Sequence, residues 1–150
     1  MQSMKKYFVL AAAALCSVGF ASAAAFDDRP VSVEELPDAA RKFIRTHFAG
    51  SDVLYAKVDD DLFNNDYKVV FADGVSVEFA SNGEWKEVGT RRGVVPAAIV
   101  PPVIREQVGK QFPGVRIESI DRDRRGFEVG LSNGLDLKFD RQFNLVDIDD

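Results

Sequence analysis

The side chains able to do chemistry in this chain are few and unevenly spread. There is one histidine, His47, and one cysteine, Cys16. A nucleophilic site needs a nucleophile, a base and an orienting group brought together, and no G-x-S-x-G elbow accompanies His47. His47 therefore reads as an exposed or half-buried helix residue, and no catalytic residue is assigned. Carboxylates are more plentiful. Asp59, Asp60, Asp61 and Asp66 crowd one short stretch, and hard oxygen ligands of this kind suit calcium. That stretch lacks the glycine and closing glutamate of an EF-hand, so it reads first as a solvated acidic loop, with a cation site as the alternative. Zinc has one histidine and no thiolate outside the N-terminal segment to draw on. A glycosidase pair requires two carboxylates at a set separation in a cleft; Asp147, Asp149 and Asp150 read instead as a solvated terminus. Arg122, Arg124 and Arg125 could grip carboxylates or phosphates bidentately, but beside Asp121 and Asp123 they read as a self-neutralised turn. No metal and no cofactor is assigned.

Leu62 and Phe63 are the most suggestive pair. They place two apolar side chains at the tip of the acidic loop, and aromatic anchors on loops often carry interface energy. The competing reading tucks them under the sheet. With Asp60, Asp61 and Tyr55 they form the candidate partner-binding set. Trp85 could join such a surface, but its place in the pattern below makes it a core residue.

The elements that would position these groups are written in the apolar spacing. Tyr67, Val69, Phe71 and Val75, Val77, Phe79 alternate on either side of Asp73-Gly74, the mark of two half-buried strands. A three-residue loop, Ala72-Asp73-Gly74, puts all six on one face, whereas a two-residue loop splits them. The predicted hairpin therefore pairs Val69 with Val77 and Tyr67 with Phe79, with Gly74 in the left-handed region. Phe127, Val129, Leu131 and Leu135, Leu137, Phe139 predict the same hairpin across Ser132-Asn133-Gly134. Leu36, Ala40, Phe43, Ile44 and Phe48 make a helical stripe over about Pro37 to Phe48, preceded by Ser32 and Glu35 at capping-box spacing. Val100-Pro101, Ile104, Val108 and Phe112-Pro113-Gly114 match that helix at an offset of 64, and the strands match at an offset of 60. The spacing predicts an α+β fold of two tandem repeats, residues 31–89 and 94–150. Each would be one helix followed by a four-stranded antiparallel sheet, with the helix packed on one face. Copies this small are marginal alone and are expected to pack together.

The first residues give an address. Lys5-Lys6, the apolar run Tyr7 to Phe20 and Ala21-Ser22-Ala23 predict a signal peptide over 1–23, too short to span a bilayer comfortably. Its removal takes Lys+Arg from 19 to 17 against 24 acidic residues. It also removes Cys16, so a packed core rather than disulfides must hold the fold. An acidic exported product is a poor match for nucleic acid or anionic lipid, and no second apolar run calls for membrane insertion after cleavage. The expected location is periplasmic or secreted.

Phe112-Pro113-Gly114-Val115-Arg116-Ile117, Phe127-Glu128-Val129 and Asn133-Gly134 resemble the PepSY domain. Leu36-Pro37, Phe48, Tyr67-Lys68-Val69, Phe71, Asp73-Gly74, Glu78-Phe79 and Gly83-Glu84-Trp85 resemble its PepSY-like, β-lactamase-inhibitor-protein-like group. The resemblance covers nearly all of the chain after the leader and rests on turns and core positions. It implies a small exported bacterial protein of tandem helix-plus-four-strand repeats, with a non-enzymatic binding or inhibitory role. The expected function is therefore that of a binding or inhibitory protein, not an enzyme, presenting loops or a sheet face to a protein partner. A small-ligand or calcium-binding protein is the alternative.

Overall fold

The computed structural model describes residues 28–60 and 65–150. The expected signal peptide over 1–23 and the loop-tip residues Asp61, Leu62 and Phe63 lie outside them. The elements run β1 (Asp28–Val31), a 3-10 turn (Val33–Glu35), α1 (Asp38–His47), β2 (Val53–Asp60), β3 (Asn65–Phe71), β4 (Val75–Phe79) and β5 (Trp85–Thr90). They continue with α2 (Pro102–Gln111), β6 (Ile117–Arg122), β7 (Gly126–Leu131), β8 (Asp136–Asp140) and β9 (Leu145–Asp149).

Both predicted hairpins form in the predicted register. Tyr67 faces Phe79 and Val69 faces Val77; Phe127 faces Phe139 and Val129 faces Leu137. Gly74 and Gly134 take φ of +89° and +88°, which closes each three-residue turn. The capping box at Ser32 and Glu35 is present, but it caps the 3-10 turn rather than α1. The helix begins after Pro37, where a missing N–H costs nothing.

The expectation of two repeats, each with its own four-stranded sheet, is corrected. All strands among the described residues lie in one nine-stranded antiparallel sheet, ordered β1 to β9 along the chain. The physical reason is the seam between β5 and β6. Glu87, Val88 and Gly89 pair with Asp121, Ile120 and Ser119, so two exposed rows of backbone N–H and C=O groups, a liability in any sheet, satisfy each other. The strand β1, which the apolar pattern did not announce, then pairs with the far edge of β2.

One face of this sheet is sealed. Ala56, Val69, Val77, Val88, Ile120, Val129 and Leu137 follow one another across successive strands, and all seven are buried. Leu36, Ala40, Ile44 and Phe48 from the α1 segment, and Val100, Ile104 and Val108 from the α2 segment, close over the row in a single core. Their spacing of four keeps each set on one helical stripe. Phe48 stacks on Phe71 at 4.5 Å and Phe43 meets Phe79 edge-on at 5.7 Å.

Candidate functional site

The opposite face of the sheet is the first candidate surface. Alternation sends every second residue there, and two rows cross it. One row runs Lys68, Glu78, Glu87, Asp121, Glu128, Lys138. Its four central members are carboxylates on neighbouring strands, the strands lying about 4.8 Å apart, and like charges set directly opposite one another destabilise a sheet unless other groups offset them. The row is closed by lysines. Lys68 donates to Glu78 at 2.8 Å, and Lys138 bridges Asp147 at 3.3 Å and also Asp149. Burial pulls the Lys68 pKa down, but its bond to Glu78 and the nearby charges outweigh that and leave it raised. Glu87 and Asp121, on either side of the seam, are both engaged in interactions of their own. The neighbouring row is Tyr55, Val70, Ser76, Gly89, Ser119 and Gly130, a shelf of small side chains with an exposed ring at one end. Tyr55 is 47% accessible.

A second candidate lies at one end of the helix-covered face. Tyr67, Phe79 and Trp85 form an aromatic row from one side, and Phe127, Phe139 and Leu145 form its counterpart from the other. Arg122, opposite Phe127, occupies the gap between them. Its guanidinium lies over the Trp85 ring, 4.4 Å from the centroid, and its Nε donates to the Trp85 carbonyl at 2.6 Å. Burial lowers the Arg122 pKa, with Glu84 acting the other way. A groove of about 700 Å³ opens beside this pair, lined also by Glu84, Arg124, Phe127, Arg141 and Phe143.

The structure treats the residues singled out in the sequence differently from one another. The acidic loop is shorter than its composition implied: Asp59 faces Asp66 and Asp60 faces Asn65 within the β2–β3 hairpin. Tyr55 and Asp60 are both exposed, but strand alternation sets them on opposite faces of β2, so they do not form one patch. His47 is half-buried against Phe43, ring centroids 4.5 Å apart. Among the described residues no three His, Cys, Asp or Glu side chains assemble as a metal-holding group. The self-neutralised arginine turn holds for Arg125 and Asp123, whose Oδ1 accepts from the Arg125 and Gly126 amides at 2.7 and 3.1 Å. It fails for Arg122, which belongs to β6 and to the tryptophan.

These turns also set the acid response. Burial pushes the Asp123 carboxyl up, but the bonds from Arg125 and Gly126 outweigh it and hold its pKa below the usual range; Asn144 does the same for Asp140. A depressed folded pKa gives stability that is present above the unfolded value and lost as pH falls through the folded one. The urea midpoint should therefore fall below about pH 4, and the gap between wild type and Asp123→Asn should close as the pH drops. A gap constant from pH 6 to pH 2.5 would contradict this.

A single antiparallel sheet with two helices on one face, an open face behind it and a seam in the middle defines the class: a small α+β protein of one helix-backed sheet. A family model described as "Putative beta-lactamase-inhibitor-like, PepSY-like" matches residues 65–147, and the chain belongs to that PepSY-like family. Three solved structures are similar over most of the chain. One is a "putative calcium-regulated periplasmic protein" from Bacteroides thetaiotaomicron, 41% identical, covering 82% of this chain and 97% of its own, with a TM-score of 0.79. The others are two putative periplasmic proteins from Bacteroides vulgatus. The first is 43% identical, covers 84% of this chain and 99% of its own, and has a TM-score of 0.78. The second, described as of unknown function, is 36% identical, with coverages of 83% and 100% and a TM-score of 0.77. No curated protein matches the chain. The periplasmic or secreted address expected for the chain agrees with these neighbours. Among the described residues no helix is long and apolar enough to cross a membrane. The family's inhibitor-like description fits a non-enzymatic role.

Proposed function

We propose that the chain is an exported, non-enzymatic binding protein whose open sheet face receives a protein partner through a cationic segment. The observation that supports this most is the acidic row from Glu78 to Glu128 lying beside the Ser76–Gly89–Ser119–Gly130 shelf. Small side chains let a partner approach closely, and a row of one sign favours a segment of the opposite sign. Tyr55 supplies an aromatic anchor at the edge of the shelf. Inhibition of an envelope enzyme is the form of binding that the family's description suggests.

Immobilised protein should retain a partner from envelope extract at low salt and release it as salt rises. Glu128→Lys, which reverses one charge of the row, should weaken retention about tenfold, and Tyr55→Ala should also weaken it. A partner held equally by wild type and both variants would remove this face from consideration. Calcium responsiveness is a second reading. It is supported by the 41% identical neighbour described as calcium-regulated and by Asp59 standing across from Asp66. Calcium binding to the native state would raise the melting temperature; an unchanged melting temperature across micromolar to millimolar calcium would exclude it.

A further inference from the structure

We infer that the groove beside the Trp85–Arg122 pair is an anion site for a carboxylate carried on an apolar or aromatic body. The charges in the groove divide unevenly once their partners are counted. Lys86 and Asp66 form an ion pair, and Asp123 is bound to Arg125 at 3.0 Å. Arg122, Arg124 and Arg141 are then set against Glu84, a net positive pocket on a chain whose formal charge is −5. Arg122 is the ordered member. Its ring stacking and its bond to the Trp85 carbonyl fix the guanidinium plane. With Nε committed to a backbone oxygen, the terminal nitrogens keep the planar fork that recognises a carboxylate. Arg124 and Arg141 are exposed at the rim and would draw an anion in. Phe127 and Phe143, rings 5.5 Å apart, offer an apolar wall for the body of the ligand. Gln107 of α2 donates to the Phe143 carbonyl at 2.8 Å and steadies that wall. Small-ligand sites commonly combine such a wall with a few placed polar groups.

Trp85 is the only tryptophan in the chain, and it lines this groove, so under native conditions its emission is a probe of ligand binding there. Titration with N-acetylphenylalanine should give a saturable change in Trp85 emission, and N-acetylphenylalanine amide, which has the same body without the charge, should give none. Arg122→Gln should weaken binding of the acid about tenfold, with Arg122→Lys falling between it and wild type. Arg141→Gln, at the exposed rim, should weaken it about threefold and serves if Arg122→Gln does not fold. Equal responses to acid and amide, no saturable response to the acid, or full affinity in a folded Arg141→Gln or Arg122→Gln protein would overturn the inference.

Discussion

Gly126→Ala should be among the most destabilising single substitutions in this protein, lowering stability by about 3 kcal/mol or more. Gly126 opens β7 with φ +154°, and a Cβ there would lie 2.0 Å from the Phe139 carbonyl oxygen and 2.8 Å from the Asp140 carbonyl carbon. Both are backbone atoms of the partner strand β8, held in register by the Gly126–Asp140 pairing. No rotamer change relieves the contact, so the strands must part at this end. The same movement pulls the Gly126 amide from Asp123 and unseats Phe127. Gly134→Ala is the matched control. Its φ of +88° disfavours any side chain, but nothing lies within 4 Å of the added carbon, so the cost should be near 1 kcal/mol. Urea denaturation should show the Gly126→Ala midpoint well below that of Gly134→Ala at similar slope. Equal midpoints would mean that the backbone approach of β7 to β8 is not as close as described.

Ile120→Ala is the second. Ile120 is fully buried and sits between Val88 across the seam and Val129 in β7. Removing three carbons at the centre of the aliphatic row should cost about 3 kcal/mol, a large share of the 5–15 kcal/mol typical of a domain. Val146→Ala, on the edge strand and 62% accessible, should cost under about 0.5 kcal/mol. Because the seam joins all the strands in one sheet, the loss should fall on the whole protein. Far-UV circular dichroism and Trp85 fluorescence should shift together in one transition. If Trp85 held its native emission while part of the dichroism melted, the two sides of the seam would be independent.

The hairpins were legible in the sequence because period-two spacing and a glycine turn are local facts. Val69 and Val77, or Val129 and Leu137, could be paired from a dozen residues each. The helices were legible for the same reason, from Leu36, Ala40, Ile44 and Phe48 at a spacing of four. What joins distant segments was not legible. Glu87 and Asp121 carry no mark in the sequence that sets them side by side, so the single sheet was read as two. The acidic row was invisible, since Glu78, Glu87, Asp121 and Glu128 belong to four strands and align only once the register across the seam is known. Arg122 was misassigned to a charged turn because its neighbours Arg124 and Arg125 are charged, whereas strand parity carries it to the opposite side, onto Trp85. One available signal was that Arg122 falls two residues after Ile120, on the buried parity of β6. The short strand β1, Asp28–Val31, gave no apolar pattern at all, because an edge strand with exposed residues needs none.

Both surfaces described above exist only if β5 pairs with β6: the acidic row crosses that junction on one side, and Trp85 meets Arg122 over it on the other. Nuclear Overhauser contacts in the isotope-labelled protein test this directly. Cross-peaks joining Val88 to Ile120 and Gly89 to Ser119 are predicted, comparable in strength to those joining Val69 to Val77. Their absence, with the contacts inside the β3–β4 and β7–β8 hairpins intact, would contradict the continuous sheet and both sites with it.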